Sequence, residues 1–171
     1  MQLIHKCSKI QVFDIILVST KRSPISWLIQ KATNCKYNHA AIVGECFDEL
    51  WVYEAKSKGF YPTKPLSKWI KDHEDNGDEL CFLKPKNYTM RRKNGFDKIS
   101  DLLGKNYEFL NLTIFQLFRI VFSVYPGPKN SNQVICSEAI AKIYDDIFPN
   151  YWQTTPKEIF EEEKLMIKLE C

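Results

Sequence analysis

Two apolar segments, "HAAIVG" (39–44) and "LWVYEA" (50–55), stand a few residues apart and constrain this chain more than any other feature. Separated by the polar "ECFDE", they predict an antiparallel β-hairpin with a loop of four to six residues. Strand side chains alternate between faces, so loop length decides which residues meet. If the loop is Glu45–Asp48, Gly44 opposes Glu49 and His39 opposes Glu54. If it is Glu45–Leu50, His39 and Glu54 are displaced by one residue pair but keep a common face. An odd-length loop would separate them.

Around the hairpin the pattern alternates strand and helix. "VFDIILVS" (12–19) is a β-rich apolar run and reads as a buried strand. "SPISWLIQKAT" (23–33) carries Ser-Pro at its start, and Ile25, Leu28 and Ile29 form an apolar helical face. "YPTKPLSKWIKD" (61–72) holds two prolines, then a short helix capped by Ser67 or started near Pro65. The polar residues around 72–79 mark a turn, and "ELCFLKP" (79–85) is a further strand ended by Pro85. "NGFDKISDLLGKNY" (94–107) predicts a helix with Phe96, Ile99, Leu102 and Leu103 on one side, stopped at Gly104.

Toward the C-terminus, "YPGPKNSN" (125–132) is a loop. "VICSEAIAKIYDDIF" (134–148) begins strand-like and continues as a helix, with Ile140, Ile143, Tyr144 and Ile147 at helical spacing. "TTPKEIFEEEKL" (154–165) predicts a capped terminal helix with Pro156 in its first turn. The stretch "FLNLTIFQLFRIVFSVY" (109–125) is apolar on nearly every face apart from Asn111, Gln116 and Arg119. It admits a buried helix, a cleft lip or interface for an acyl chain, or a span at the short limit for a membrane.

Bulk properties exclude some classes. A chain of 171 residues fits one domain, 1–171, and 44% hydrophobic residues can fill a core without disulfide staples. The charge of +3, from 24 basic and 21 acidic residues, argues against a nucleic-acid binder driven by bulk charge. The local basic run "MRRKNGFDK" (90–98) reads as a solvated loop or helix start. The N-terminus lacks the apolar core and cleavage site of a secretory signal. Six cysteines, at 7, 35, 46, 81, 136 and 171, show no regular spacing. They read as mostly free thiols in a reducing compartment, so a cytoplasmic location is expected. Cys35, His39 and Cys46 lack a paired second half, so no zinc is expected.

His39, Glu54 and Cys136 carry chemistry if they meet. A glutamate beside an imidazole fixes its tautomer and stabilises its charged form. Cys136 stands where a strand-like stretch turns helical, and a helix start favours a thiolate. A neighbouring imidazole would lower its pKa further, and the Cys136 N–H could donate to an oxyanion. Each residue also has a plain structural reading: a small buried hydrophobe, a strand-edge histidine and a solvent-facing strand glutamate.

The ordered set "FDIILVS", "NHAAIV", "VYEAKSKGF", "PLSKW", "LGKNYEF" and "VICSEAIAKIY" resembles the circularly permuted NlpC/P60 papain-like proteins, the group that includes the YiiX/YycO-like cysteine hydrolases. The resemblance spans nearly the whole chain. It implies an α+β fold, with a small antiparallel sheet or half-barrel packed on helices. It matches His39, Glu54 and Cys136 to the family's histidine, acid and nucleophile, and Tyr107 to a tyrosine that helps shape the oxyanion site. Ser137 and Glu138 read as structural residues of a helix start, the acid favoured there by the dipole, and Thr154–Pro156 as a helix cap.

The resulting expectation is a cysteine hydrolase acting on an amide bond, or on an ester or thioester, through a Cys136–His39–Glu54 triad and a thioester intermediate. It needs no metal or organic cofactor. Its substrate is an amide- or acyl-containing molecule, with an apolar part if 109–125 lines the site or meets a membrane surface or second copy. Two other classes stay open: a lipid-directed acyltransferase or thioesterase resembling the lecithin:retinol acyltransferase-like relatives, and a non-catalytic binding module.

Overall fold

A computed structural model describes residues 10–20, 23–86, 88–107, 133–151 and 154–170. The apolar stretch 109–125, the loop 125–132 and the first nine residues lie outside the described residues. The strands are β1 (Ile15–Ser19), β2 (His39–Cys46), β3 (Glu49–Lys56), β4 (Gly59–Pro65), β5 (Glu79–Pro85), β6 (Asn106–Tyr107), β7 (Gln133–Val134) and β8 (Leu165–Glu170). The helices are α1 (Pro24–Thr33), α2 (Leu66–Asp75), α3 (Tyr88–Leu102), α4 (Cys136–Ile143) and α5 (Pro156–Glu161). Among the described residues no helix is long and apolar enough to cross a membrane.

An antiparallel sheet of six strands in the order β4-β3-β2-β1-β5-β8 organises this α+β fold. All five residues of central β1 are buried, because helices cover both faces of the sheet. On one face Ile15, Leu17, Ala40, Ile42 and Cys81 pack with Ala139, Ile140 and Ile143 of α4 and Ile99 of α3. On the other, Ile16, Val18, Ala41, Val43, Val52 and Phe82 pack with Leu66, Trp69 and Ile70 of α2. Trp69 is almost fully buried, and burial of a side chain this size contributes about 3 kcal/mol or more.

Several expected elements hold. The 12–19 run gives β1 and the 79–85 run gives β5. Helix α1 starts at Pro24, with Ser23 Oγ accepting the Ile25 N–H at 3.2 Å. It ends at Asn34 in the left-handed region, φ 48°. Helix α3 begins earlier than expected, at Tyr88, and the chain turns at Gly104 with φ 75°. Leu103, placed on its apolar side by spacing, is exposed.

Other expectations are corrected. The β2–β3 connection is not four to six residues but two, with Phe47 and Asp48 at φ 52° and 60°. That is the twist a tight hairpin demands, reached here without glycine. The start of the 61–72 run, read as a proline-containing lead into a helix, belongs instead to β4 (59–65), and the terminal helix expected over 154–165 ends at Glu161, after which β8 follows. β4 and β8 are the two edges of the sheet, where Pro62 and Pro65 cost β4 no interior ladder bond.

Two short strands place the start of α4. Gly59 has φ 112°, and a Cβ there would lie 2.5 Å from the Lys105 carbonyl. The tight approach lets the Phe60 N–H donate to Lys105 O and the Gly104 N–H to Phe60 O. The next residues, β6, pair in parallel with β7, with Tyr107 beside Val134. Two residues later the chain enters α4 at Cys136.

Candidate active site

The hairpin is closed at its turn and open at its other end. Its ladder runs from Cys46 opposite Glu49 to Ile42 opposite Tyr53 and stops there. Beyond that point β2 continues alongside β1, with Ala40 opposite Leu17, while β3 continues alongside β4, with Glu54 opposite Tyr61. The Val43 N–H and C=O bond to the β1 side, to Asp14 O and from the Phe13 N–H. By strand alternation the even-numbered residues of β2 direct their N–H toward β3. The Ala40 N–H is therefore a ladder donor released by the split, and it donates to the Cys136 sulfur. Helix α4 packs against both β2 and β3 here.

Cys136 is the first residue of α4, with Ile135 as its extended N-cap. The first N–H groups of a helix have no partner inside it. One of them, on Ser137, donates to the Cys136 sulfur. Glu138 accepts the Ile135 N–H at 3.4 Å and pairs with Lys142 at 2.8 Å. That is the structural role at a helix start read from the sequence.

His39 opens β2 and shares a face with Glu54, as both even-length loops require. The two-residue turn sets Glu54 opposite Ala41, so His39 meets Glu54 on the diagonal rather than directly across. The contact is close: His39 Nε2 lies 2.8 Å from Glu54 Oε2. With Nε2 so engaged, Nδ1 is the ring nitrogen left for Cys136, with which His39 also hydrogen-bonds. The structure thus brings Cys136, His39 and Glu54 together, with the imidazole between the sulfur and the carboxylate.

The carboxylate of Glu54 is fully buried yet fully served. Its second oxygen, Oε1, accepts from Thr63 Oγ1 at 2.8 Å, Trp69 Nε1 at 2.9 Å and Lys56 Nζ at 2.8 Å. An unpaired buried carboxylate would cost several kcal/mol; one met by donors from β2, β3, β4 and α2 can stay charged. Sequence reading assigned no role to Thr63, Trp69 or Lys56. Lys56 follows Glu54 by two strand positions and so shares its face, which was readable in principle. Thr63 lay in the unrecognised β4.

Charge follows from these contacts. Burial raises the Glu54 pKa, but the His39 imidazole and the Lys56 ammonium outweigh it and hold the carboxyl well below its ordinary range. Burial pulls His39 down, but the Cys136 thiolate and the Glu54 carboxylate prevail and push it up to about 10. Burial also raises the Cys136 thiol, while His39 and the Ala40 and Ser137 N–H groups bring it below its ordinary value. These contacts favour the charged forms, a thiolate–imidazolium pair braced by a carboxylate.

The remaining expectations fall unevenly. Tyr107 sits on β6 beside the strand leading to Cys136, but its side chain lies outside the described residues. Cys35, Cys46, Cys81 and Cys136 are free thiols, and Cys7 and Cys171 lie outside the described residues.

No family model matches the chain, and no curated protein matches it. Among solved structures it is similar to the metalloprotein YiiX of Escherichia coli O157:H7, DUF1105, with a TM-score of 0.55 and 20% identity. The match covers 92% of this chain and 95% of that one. At this identity the similarity establishes a shared fold.

Proposed function

We propose that this chain is a cysteine hydrolase of the permuted NlpC/P60 papain-like kind. Its substrate is an amide- or acyl-containing molecule. One observation carries the reading: a thiol at a helix N-terminus hydrogen-bonds an imidazole whose far nitrogen lies 2.8 Å from a buried carboxylate. A thiol used only as a small hydrophobe needs neither partner.

In this mechanism the Cys136 thiolate attacks the substrate carbonyl carbon and the carbonyl electron pair moves onto oxygen. The Cys136 backbone N–H, at the first helical position, donates to that oxyanion. The tetrahedral species collapses as His39 Nδ1 gives its proton to the leaving amine, alcohol or thiol, leaving a thioester on Cys136. His39 then takes a proton from water as the hydroxide adds to the thioester carbon, and the tetrahedral species collapses with cleavage of the C–S bond, releasing the acid and restoring the Cys136 thiolate beside the His39 imidazolium. Glu54 holds the imidazole orientation and charge throughout.

YiiX is described as a metalloprotein. The donor set here does not fit a metal: among the described residues no group of three His, Cys, Asp or Glu could hold such an ion. Both Glu54 oxygens are already engaged by donors. No step is routed through a metal.

The test is turnover of p-nitrophenyl acyl esters of increasing chain length, with mass spectrometry of the protein quenched in acid. The expected result is a single acyl adduct on Cys136, absent from Cys136→Ala. Turnover that survives Cys136→Ala, or an adduct spread evenly over the cysteines, would contradict the reading.

A further inference from the structure

We propose that Lys56 is a positioning residue of this site: its ammonium balances the buried Glu54 charge and so sets how tightly His39 holds its proton. The inference rests on the cysteine-hydrolase reading, because it concerns the proton that His39 must both hold and release.

The two oxygens of Glu54 divide their work. Oε2 faces His39 at 2.8 Å, while Oε1 takes the only cation among its three donors, Lys56 Nζ at 2.8 Å. Thr63 and Trp69 are neutral and fix geometry. Lys56 is half exposed whereas the Glu54 side chain has no exposed surface, so the ammonium forms the solvent side of a buried charge. Counted together, the Cys136 thiolate, His39 imidazolium, Glu54 carboxylate and Lys56 ammonium sum to zero. Without Lys56 the cluster carries one net negative charge in a poorly solvated place. The least costly response is tighter retention of the His39 proton and a weaker thiolate. Both changes hinder a site whose imidazolium must surrender its proton to a leaving group.

Several other charged groups on the surrounding elements are engaged elsewhere. On α2, His73 stacks on Trp69 with ring centroids 3.9 Å apart and pairs with Asp78 at 2.7 Å. Asp72 pairs with Lys64 of β4, and Tyr61 stands opposite Glu54 in the β3–β4 register. From α4, Glu138 pairs with Lys142. Among the described residues Lys56 is the lysine or arginine paired with Glu54.

The experiment compares full-length wild type, Lys56→Met and Lys56→Arg. Each is alkylated with iodoacetamide, an uncharged reagent, from pH 5 to 11, and Cys136 labelling is read by peptide mass spectrometry. Far-UV circular dichroism confirms folding. Loss of a nearby positive charge raises both inflections of the Cys136 rate profile. The expected shift in Lys56→Met is about half a unit to one unit, given the half-exposed ammonium. Lys56→Arg restores the wild-type profile. A wild-type profile with two inflections that Lys56→Met leaves in place would overturn the role of Lys56 alone. A wild-type profile typical of an ordinary thiol would overturn the ion pair, and this proposal with it.

Discussion

The two ends of the β2–β3 hairpin are built from the same strands and behave as opposites. At the turn end every pair from Cys46–Glu49 to Ile42–Tyr53 is laddered, and Tyr53 Oη donates to Glu45 O at 3.0 Å. At the far end the strands part, each keeping its outer neighbour, and α4, which packs against both, brings Cys136 to His39 and Ala40 of β2. Backbone donors spent on strand pairing at one end are available to a sulfur anion at the other. Substitutions at the open end should therefore alter chemistry and pH dependence, and those at the turn end should alter stability alone.

The largest effects belong to the open end. Cys136→Ala should abolish ester turnover, and His39→Ala should lower kcat/KM by about a thousandfold or more, both read by steady-state kinetics on folded protein. Similar turnover in His39→Ala and wild type would leave the imidazole a structural group.

Glu54→Leu should cost about 3–5 kcal/mol in urea unfolding, because it strands the Thr63, Trp69 and Lys56 donors around an apolar side chain. Glu54→Gln keeps the shape and one acceptor. It should cost less stability while lowering the His39 pKa, and nitrogen-15 histidine NMR reads that shift. An unchanged His39 titration would mean that the carboxylate is not what sustains the imidazolium.

The pH dependence of stability follows from the coupled pair. Ordinary histidine and cysteine titrate near 6.5 and 9.0, while in the folded chain His39 is raised to about 10 and Cys136 is lowered. With the folded pair held as thiolate and imidazolium, folded and unfolded chains each hold about one proton on the pair between the ordinary values, so stability is flat there. Below pH about 6.5 the unfolded chain holds more protons, and stability falls as pH falls; the depressed Glu54 adds to this below its ordinary carboxyl range. Above about pH 9 the folded chain holds more, and the His39 contribution is lost as pH rises through about 10. Urea unfolding across this range should show the plateau, and Cys136→Ala should remove its alkaline shoulder.

The smallest effect belongs to the turn. Phe47 is 85% exposed, and both turn residues hold the left-handed conformation that Asn-Gly adopts without strain. Phe47→Asn with Asp48→Gly should stabilise the protein by about 0.5–1 kcal/mol and leave kcat/KM unchanged. A changed kcat/KM would mean that the two ends are coupled.

What was legible in the sequence follows the same division. Even parity put His39 and Glu54 on one face for any loop of even length, because strand alternation tolerates an error of two residues. The turn itself was missed because Phe-Asp lacks the usual glycine signature. The two strands of the six-stranded sheet that were missed, β4 and β8, are both edges, and in β4 the prolines that an edge tolerates obscure the strand pattern. Trp69 and Thr63 act on Glu54 from different elements, so no local spacing announces them. The split between β2 and β3, which frees the Ala40 N–H for Cys136, leaves no mark in residue pattern.

The central claim is that Cys136 is a thiolate paired with imidazolium near neutrality. The most direct measurement is the ultraviolet thiolate absorbance near 240 nm, taken as wild type minus Cys136→Ala from pH 4 to 11, which subtracts the five other cysteines. The predicted result is a step well below the ordinary thiol value of 9.0, moved upward to that value or beyond in His39→Ala. A wild-type step at or above 9.0, unmoved by His39→Ala, would contradict it.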